Sequence, residues 1–210
     1  NPLRVAEDWA MIDQLSGGRV GLSFASGWHV NDFAFMPDNY ERRREVMLEH
    51  IDVVMKLWRG ETVSATNGAG QPIEVSVLPR PLQERPPIWI AAAGSPATFA
   101  LAGRLGFNIL TNMLGQDLAD LKVKFAAYRA ARREHGHEGD GVVSVMLHTF
   151  VCGDTDEARR LARKPLSDYL ASSFDLVKVA PTMFPAFRQP SRAVADAEPV
   201  ASPNFTPEDM

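Results

Sequence analysis

Between Ile88 and Glu134 the chain reads apolar run, helical repeat, apolar run, helical repeat, with no hairpin signal between them. "IWIAAA" passes through Gly-Ser-Pro into "ATFALAGRLG", and "FNILTN" passes through "MLGQ" into "DLADLKVKFAAYRAARRE". Successive strands joined by helices run parallel, because a parallel connection has to cross back over the sheet. Strands whose apolar residues continue without alternation belong to a sheet covered on both faces. This unit confines the chain to the α/β class more tightly than any other feature does.

The flanking sequence extends the rhythm. Residues 3–15 place Val5, Trp9, Ile12 and Leu15 on one helical face, closed by Gly17-Gly18. "RVGLSFAS" is a short buried strand. "ERRREVMLEHIDVVMKLWRG" is a helix with Met47, Leu48, Ile51, Val54, Met55 and Trp58 in one stripe, stopped by Gly60. Its charged first turns, with neighbours such as Glu41 and Arg44, read as a solvated face. Asn67-Gly68 marks a hairpin-like excursion within 61–87, which closes with the connector "LPRPLQERPP". There follow strand 88–93, helix 95–105, strand 107–112, helix 116–136, strand 142–152 and helix 155–177. Pro165 is expected to kink or split the last of these.

From Ala180 the chain is rich in Pro, Ala and Ser and is expected to loop over the surface. Thr206 and Pro207 announce a helix with no sequence left to form it, as in a chain cut from something longer. The expected organisation is one domain over 1–179 and a connecting segment over 180–210. Four strands of this kind suit a doubly wound sheet or a stretch of a (β/α)8 barrel. Both place ligands at the C-terminal ends of the strands.

Composition narrows the function. The chain has 210 residues, 45% of them apolar, and a net charge of −4, which argues against a nucleic-acid footprint. No apolar run approaches the roughly 20 residues of a membrane helix. A single cysteine, Cys152, excludes an internal disulfide framework and leaves too few thiolates for a zinc or iron–sulfur centre. The expected setting is cytoplasmic.

Three strand ends carry the polar residues. In "SFASGWHVNDF", Ser26-Gly27 closes a strand, Gly27 permits close backbone approach, and Trp28 and His29 stand at the rim; a plain βα turn reads the same way. In "AGSPAT", Gly94 leaves room for an anion, Ser95 is placed to cap the helix, Pro96 takes its first position, and Thr98 lies one turn in. Free amides, two hydroxyls and the helix dipole would seat a phosphate, and an ordinary capped helix is the alternative. No Gly-x-Gly-x-x-Gly and no phosphate-loop lysine accompany it. In "NILTNMLGQ", Thr111 and Asn112 end a strand with polar groups suited to a heterocycle's edge, or to capping the next loop. His135 and His137 close a helix, His50 lies within another, and His148 sits in strand 142–152 as a core histidine. Cys152 reads as packing. No hydrolytic triad or carboxylate pair is apparent.

Taken together, "DQLSGGRVGLSFASGWHVNDF", "LPRPLQERPPIWIAAAGSPATFALAGRLG", "NILTNMLGQ", "YRAARREHGH" and "VMLHTFVCGDTDEAR" resemble the central part of flavin-dependent monooxygenases of the bacterial luciferase-like family. The branch most similar is the one found beside peptide and polyketide synthetases in natural-product gene clusters. The likeness runs from Asn1 to about Lys178.

It implies a (β/α)8 barrel that binds reduced FMN at its C-terminal mouth, with residues 18–26, 88–93, 107–112 and 142–152 as strands four to seven. It assigns the flavin phosphate to Gly94, Ser95 and Thr98 and to the end of the fourth strand at Ser26, Gly27 and Trp28. Ala25 and Ser26 stand where luciferase has a cysteine and an arginine, so a positive charge is lost from the seat and light emission is not implied. Thr111 and Asn112 complete the cofactor set.

The activity implied uses reduced FMN and O2 to oxygenate an organic substrate, small or carrier-bound, by hydroxylation or Baeyer–Villiger-type insertion. A separate reductase would supply the flavin, and subunits would pair as homodimers. The family's important histidine would lie before Asn1, and strands one to three and eight outside 1–210, so these residues alone are expected not to turn over. The alternatives are a deazaflavin-dependent oxidoreductase and a flavin-binding or interaction protein without catalysis.

Overall fold

The computed structural model describes residues 1–27, 29–113 and 116–183, with side chains to Ser172. Helix α1 (Pro2–Ser16) begins where the Asn1 side chain accepts the Leu3 amide, and it ends at Gly17. Strand β1 (Leu22–Phe24) leads through two 3-10 turns, Val30–Phe33 and Pro37–Asn39, into α2 (Arg43–Arg59). The excursion forms as a hairpin of β2 (Val63–Thr66) and β3 (Pro72–Val75), with Asn67 Oδ1 accepting the amides of Ala69 and Gln71 in the turn. Then come β4 (Ile88–Ala91), α3 (Pro96–Arg104), β5 (Asn108–Asn112), α4 (Leu118–Glu134), β6 (Val143–Met146) and α5 (Thr155–Met183).

The main sheet has the order β1-β4-β5-β6, and every pairing is parallel. Each βα unit adds its strand to the same edge. A doubly wound sheet reverses direction at a switch point, and this sheet does not. The order is that of consecutive staves in a (β/α)8 barrel, present here as an unclosed arc of four.

Register and pleat divide the side chains between two faces. Leu22, Ile88, Ile90, Ile109 and Thr111 are buried on one face, under the helices. Ser23, Trp89, Leu110, Asn112 and Ser144 share the other face, the concave side of the arc, and there Trp89 Nε1 donates to Ser144 Oγ at 3.1 Å. That face is only partly covered: Ser23 is exposed, and Trp89, Leu110 and Asn112 are half-buried. The expectation of cover on both faces therefore holds for the helix side alone.

Two clusters form the core. Met47, Ile51 and Met55 of α2 pack with Ile88, Ile90, Phe99, Ala102, Ile109 and Tyr128. Ala6, Val20, Leu22, Val54, Leu57, Trp58 and Val77 form the second. The stripe expected on α2 is buried or half-buried throughout, and Gly60 ends the helix. Its surface pairs are Arg42 with Glu45 and Glu49 and, further along, Asp52 with Lys56; among the described residues Glu41 does not pair with Arg44, and the helix starts only at Arg43. Exposed pairs of this kind add little to stability.

Several expectations are corrected. Helix α1 buries Ala6, Ala10 and Asp13, while Trp9, Ile12 and Leu15 are exposed, because small side chains let α1 lie close along α2. The strand placed at 142–152 ends at Met146, and the one at 18–26 is reduced to Leu22–Phe24. His148 therefore lies beyond its strand, exposed, with its ring 4.8 Å from that of Tyr169. Helix α5 is not split at Pro165 and runs to Met183, past the 177 expected for its end. Thr206 and Pro207 lie outside the described residues.

Candidate functional site at the strand ends

The three polar strand ends come together because β1, β4 and β5 are adjacent and parallel. Phe24 pairs with Ile90 and Ala91 with Leu110, and the Ala92 amide donates to Leu110 O at 2.9 Å, so all three chains leave the sheet at the same level.

After β1 come Ala25, exposed, then Ser26 and Gly27, half-buried. Trp28 lies outside the described residues. Gly27 has φ 79°, and a Cβ there would stand 2.7 Å from the Phe33 ring. That ring packs edge-on against Tyr40, with centroids 5.3 Å apart, and Arg43 lies over Tyr40. The His29 imidazole accepts the Asn31 amide, and the Asp32 carboxylate accepts the amide of His29, so this histidine caps the turn Val30–Phe33. Gly27→Ala should destabilise the protein by about 1–2 kcal/mol through the left-handed backbone alone, read as a fall in the urea midpoint.

After β4, Gly94 is exposed, and a Cβ on it would meet no atom of the described residues within 4 Å. Its φ lies outside the left-handed region. Among the described residues, nothing in the packing calls for a glycine at this point. Ser95 stands at the N-cap of α3 with Pro96 next, but its hydroxyl makes no capping bond, contrary to expectation. The Thr98 amide donates to Ser95 O at 3.0 Å, which satisfies by backbone the group that the hydroxyl would have served. Pro96 has no N–H. Among the described residues, the amides of Gly94, Ser95 and Ala97 have no acceptor. The notch thus offers three amides and the unspent Ser95 hydroxyl at the positive end of a helix dipole, where anions bind.

After β5 the pleat separates two candidates. Thr111 shares the helix-covered face with Ile109, is 3% exposed, and its Oγ1 accepts from Gln116 Nε2 at 3.1 Å. Asn112 lies on the concave face and is half-buried, and its carbonyl also accepts from Gln116. Helix α4 opens at a capping box in which Asp117 accepts the amide of Asp120 and Asp120 accepts that of Asp117.

Beneath these ends lies a buried cation that the strand-end motifs do not disclose. Lys124 is 8% exposed, and its Nζ donates to Ala93 O at 2.9 Å and to Gln116 Oε1 at 2.5 Å. Burial lowers its pKa below the ordinary lysine value, against the opposing fields of Asp120 and Asp117. The signal was a lysine on the apolar stripe of α4, three residues after Leu121 and four before Tyr128.

A cavity of about 340 Å3 lined by Arg85, Ile88, Leu105, Phe107 and His137 lies at the opposite, N-terminal ends of β4 and β5. In parallel barrels that pole serves stability. His137 Nε2 there bonds Arg104 O at 2.7 Å, and His135 Nδ1 bonds Ala131 O at 2.9 Å. Cys152 Sγ lies 3.7 Å from Glu157. Among the described residues no group of His, Cys, Asp and Glu could hold a metal ion, and no helix is long and apolar enough to cross a membrane.

Comparison with known proteins shows the family and the fold. The family model described as luciferase-like monooxygenase matches residues 1–203. An F420-dependent hydroxymycolic acid dehydrogenase of Mycobacterium tuberculosis is 30% identical over 77% of this chain and 44% of its own length. An FMNH2-dependent dimethylsulfone monooxygenase of Pseudomonas putida is 25% identical over 82% of this chain and 46% of its own. The crystal structure of monooxygenase RslO1 from Streptomyces bottropensis superposes with a TM-score of 0.64 at 25% identity, covering 83% of this chain and 56% of that one. The chain spans about half the length of the curated relatives it matches.

Proposed function

The chain belongs to the luciferase-like monooxygenase family, a family of flavin-dependent oxidoreductases, and from that premise we propose that it forms the flavin-phosphate side of an FMN-dependent monooxygenase. The observation that carries this reading is the notch at Gly94–Ala97, with unused amides, an unused hydroxyl and open space where a side chain would project. Reduced FMN, when bound, supplies the two electrons with which O2 is divided between one oxygen atom on the substrate and one water. The amides of Gly94, Ser95 and Ala97 hold the phosphate, with the hydroxyls of Ser95 and Thr98 beside them. Ser26 and Gly27 approach from the neighbouring strand, and the family likeness assigns Trp28 to the same set.

The concave face, with Trp89, Ala91, Leu110 and Asn112, would form a wall for the ring system and, once covered, would help keep water from it. The family's reacting residues are proposed to lie on strands other than these four. A reductase would deliver the reduced flavin. The substrate would be an organic molecule of natural-product biosynthesis, free or carrier-bound. The intact protein would be a cytoplasmic homodimer.

The test compares FMN with riboflavin, which lacks the phosphate, by quenching of flavin fluorescence in the purified protein. FMN should bind about tenfold to a hundredfold more tightly, each factor of ten being about 1.4 kcal/mol. Gly94→Val should remove that preference and leave the melting temperature unchanged, because its side chain enters empty space. Equal affinities for the two flavins in the unaltered protein would sink the reading.

The F420-dependent dehydrogenase among the relatives supports a second reading, hydride transfer by a deazaflavin without O2. Oxygen uptake in a single turnover separates the two.

A further inference from the structure

Lys124 reaches beneath both strand ends at once. Its Nζ holds the Ala93 carbonyl at 2.9 Å, on the loop that leaves β4, and the Gln116 carbonyl oxygen at 2.5 Å, on the loop that leaves β5. Gln116 in turn donates its amide to Thr111 Oγ1 at 3.1 Å and to the Asn112 carbonyl. One buried side chain therefore ties the Ala93–Gly94 peptide to the end of the adjacent strand.

The consequence follows from peptide geometry. Among the described residues the only cis bond is Leu78–Pro79, so the Ala93–Gly94 peptide is trans, and its C=O and N–H point in opposite directions. With the Ala93 carbonyl drawn inward onto a side chain 8% exposed, the Gly94 N–H must point outward. Gly94 is itself exposed, and a Cβ on it would meet no atom of the described residues within 4 Å. We propose that Lys124, assisted by Gln116, is the positioning residue of the anion seat: it locks this peptide so that the Gly94 amide faces the phosphate, an inference that rests on the flavin-phosphate reading above.

The same placement would supply positive charge to the proposed seat. Ala25 and Ser26 offer no charge at the rim. The ammonium lies behind the peptide instead, and through Ala93 O it polarises the N–H that meets the anion, as happens along a chain of hydrogen bonds. Asp117 and Asp120, the carboxylates whose fields reach Lys124, are themselves engaged in the α4 capping box. Among the described residues Lys124 therefore has two carbonyl partners and no carboxylate paired with it.

The experiment uses Lys124→Met, which keeps the stem and removes the donor, with Lys124→Arg as the conservative variant and Gln116→Ala as a loop variant that leaves α4 intact. Two quantities are measured: affinities for FMN and riboflavin, and the backbone amide signals of Gly94 and Ser95 in 15N-resolved NMR spectra. Lys124→Met should lower FMN affinity about tenfold to a hundredfold, the range of a charge-assisted hydrogen bond, with riboflavin unaffected. Its Gly94 and Ser95 signals should shift or divide. Lys124→Arg should recover part of the loss, and Gln116→Ala should show a smaller loss of the same selectivity.

Equal losses for both flavins would mean that Lys124 only supports the fold and would overturn the proposal. So would unmoved Gly94 and Ser95 signals. Should Lys124→Met fail to fold, Gln116→Ala decides by the same two readouts. If the unaltered protein does not prefer FMN to riboflavin, the phosphate reading falls on its own. The amide signals then decide whether Lys124 orients the peptide.

Discussion

Asp13→Ala is expected to cost about 3–5 kcal/mol of folding stability, since it strands several buried donors worth about 1–3 kcal/mol each. Asp13 is fully buried in the last turn of α1. Its Oδ2 accepts the amides of Leu82 and Gln83 at 2.8 Å each, and Oδ1 accepts the Gln83 side chain at 2.7 Å. Gln83 also donates to Val20 O and receives the Trp58 indole N–H, so a single carboxylate fixes α1, α2 and the proline-rich connector that feeds β4. Burial alone would raise its pKa, but the hydrogen bonds from Gln83, Leu82 and Val20's neighbourhood outweigh it, and the net shift is downward.

A carboxyl whose folded pKa lies below its unfolded value of about 4 stabilises the fold fully above that pH. The contribution is lost as pH falls through the lower, folded value. Urea midpoints from pH 7 down to pH 2 should therefore show Asp13→Asn less stable at neutral pH and less sensitive to acid than the unaltered protein. Parallel acid limbs for the two would show that Asp13 is not the group responsible.

The strand–helix order, the stripe of α2 and the hairpin at Asn67 were legible because each rests on local chemistry: periodicity, a stop glycine, an Asx turn. What escaped depended on which face met a neighbour. On α1 the bulky face of Trp9, Ile12 and Leu15 looked like the core, yet Ala6, Ala10 and Asp13 are buried instead. That row follows the same helical spacing, and an aspartate within it is a buried hydrogen-bond hub in waiting.

Lys124 was hidden in the same way, on the apolar stripe of α4. At the candidate site the strand ends could be read from the sequence, and their division into faces could not. Thr111 and Asn112 look equivalent as neighbours in sequence, but the pleat sends the first under the helices and the second to the concave side. The polarity of a motif names its chemistry, while the pleat decides which members a ligand can reach.

Gly103→Ala sets two effects against each other, and their magnitudes decide the sign. In the interior of a helix alanine is favoured over glycine by about 1 kcal/mol. Here α3 lies so close to α4 that a Cβ on Gly103 would stand 2.3 Å from the Tyr128 carbonyl oxygen, 3.0 Å from Ala131 Cβ and 3.2 Å from the Arg132 amide nitrogen. The nearest atom is backbone and cannot swing aside. Tyr128 is further pinned by its own hydroxyl, which donates to Phe107 O at 2.8 Å across the turn between α3 and β5. Overpacking typically costs 1–3 kcal/mol, and against an immovable carbonyl the upper part of that range applies.

The net expectation is a loss of about 2 kcal/mol, with α3 displaced outward and the notch at its start displaced with it. A lower melting temperature should accompany a weakened preference for FMN. Adding Ala131→Gly relieves only the second contact, so the double variant should recover almost nothing. Full recovery would place the obstruction at the Ala131 methyl and not at the backbone. A stabilised single variant would show that the two helices part easily, leaving the seat's geometry without its brace.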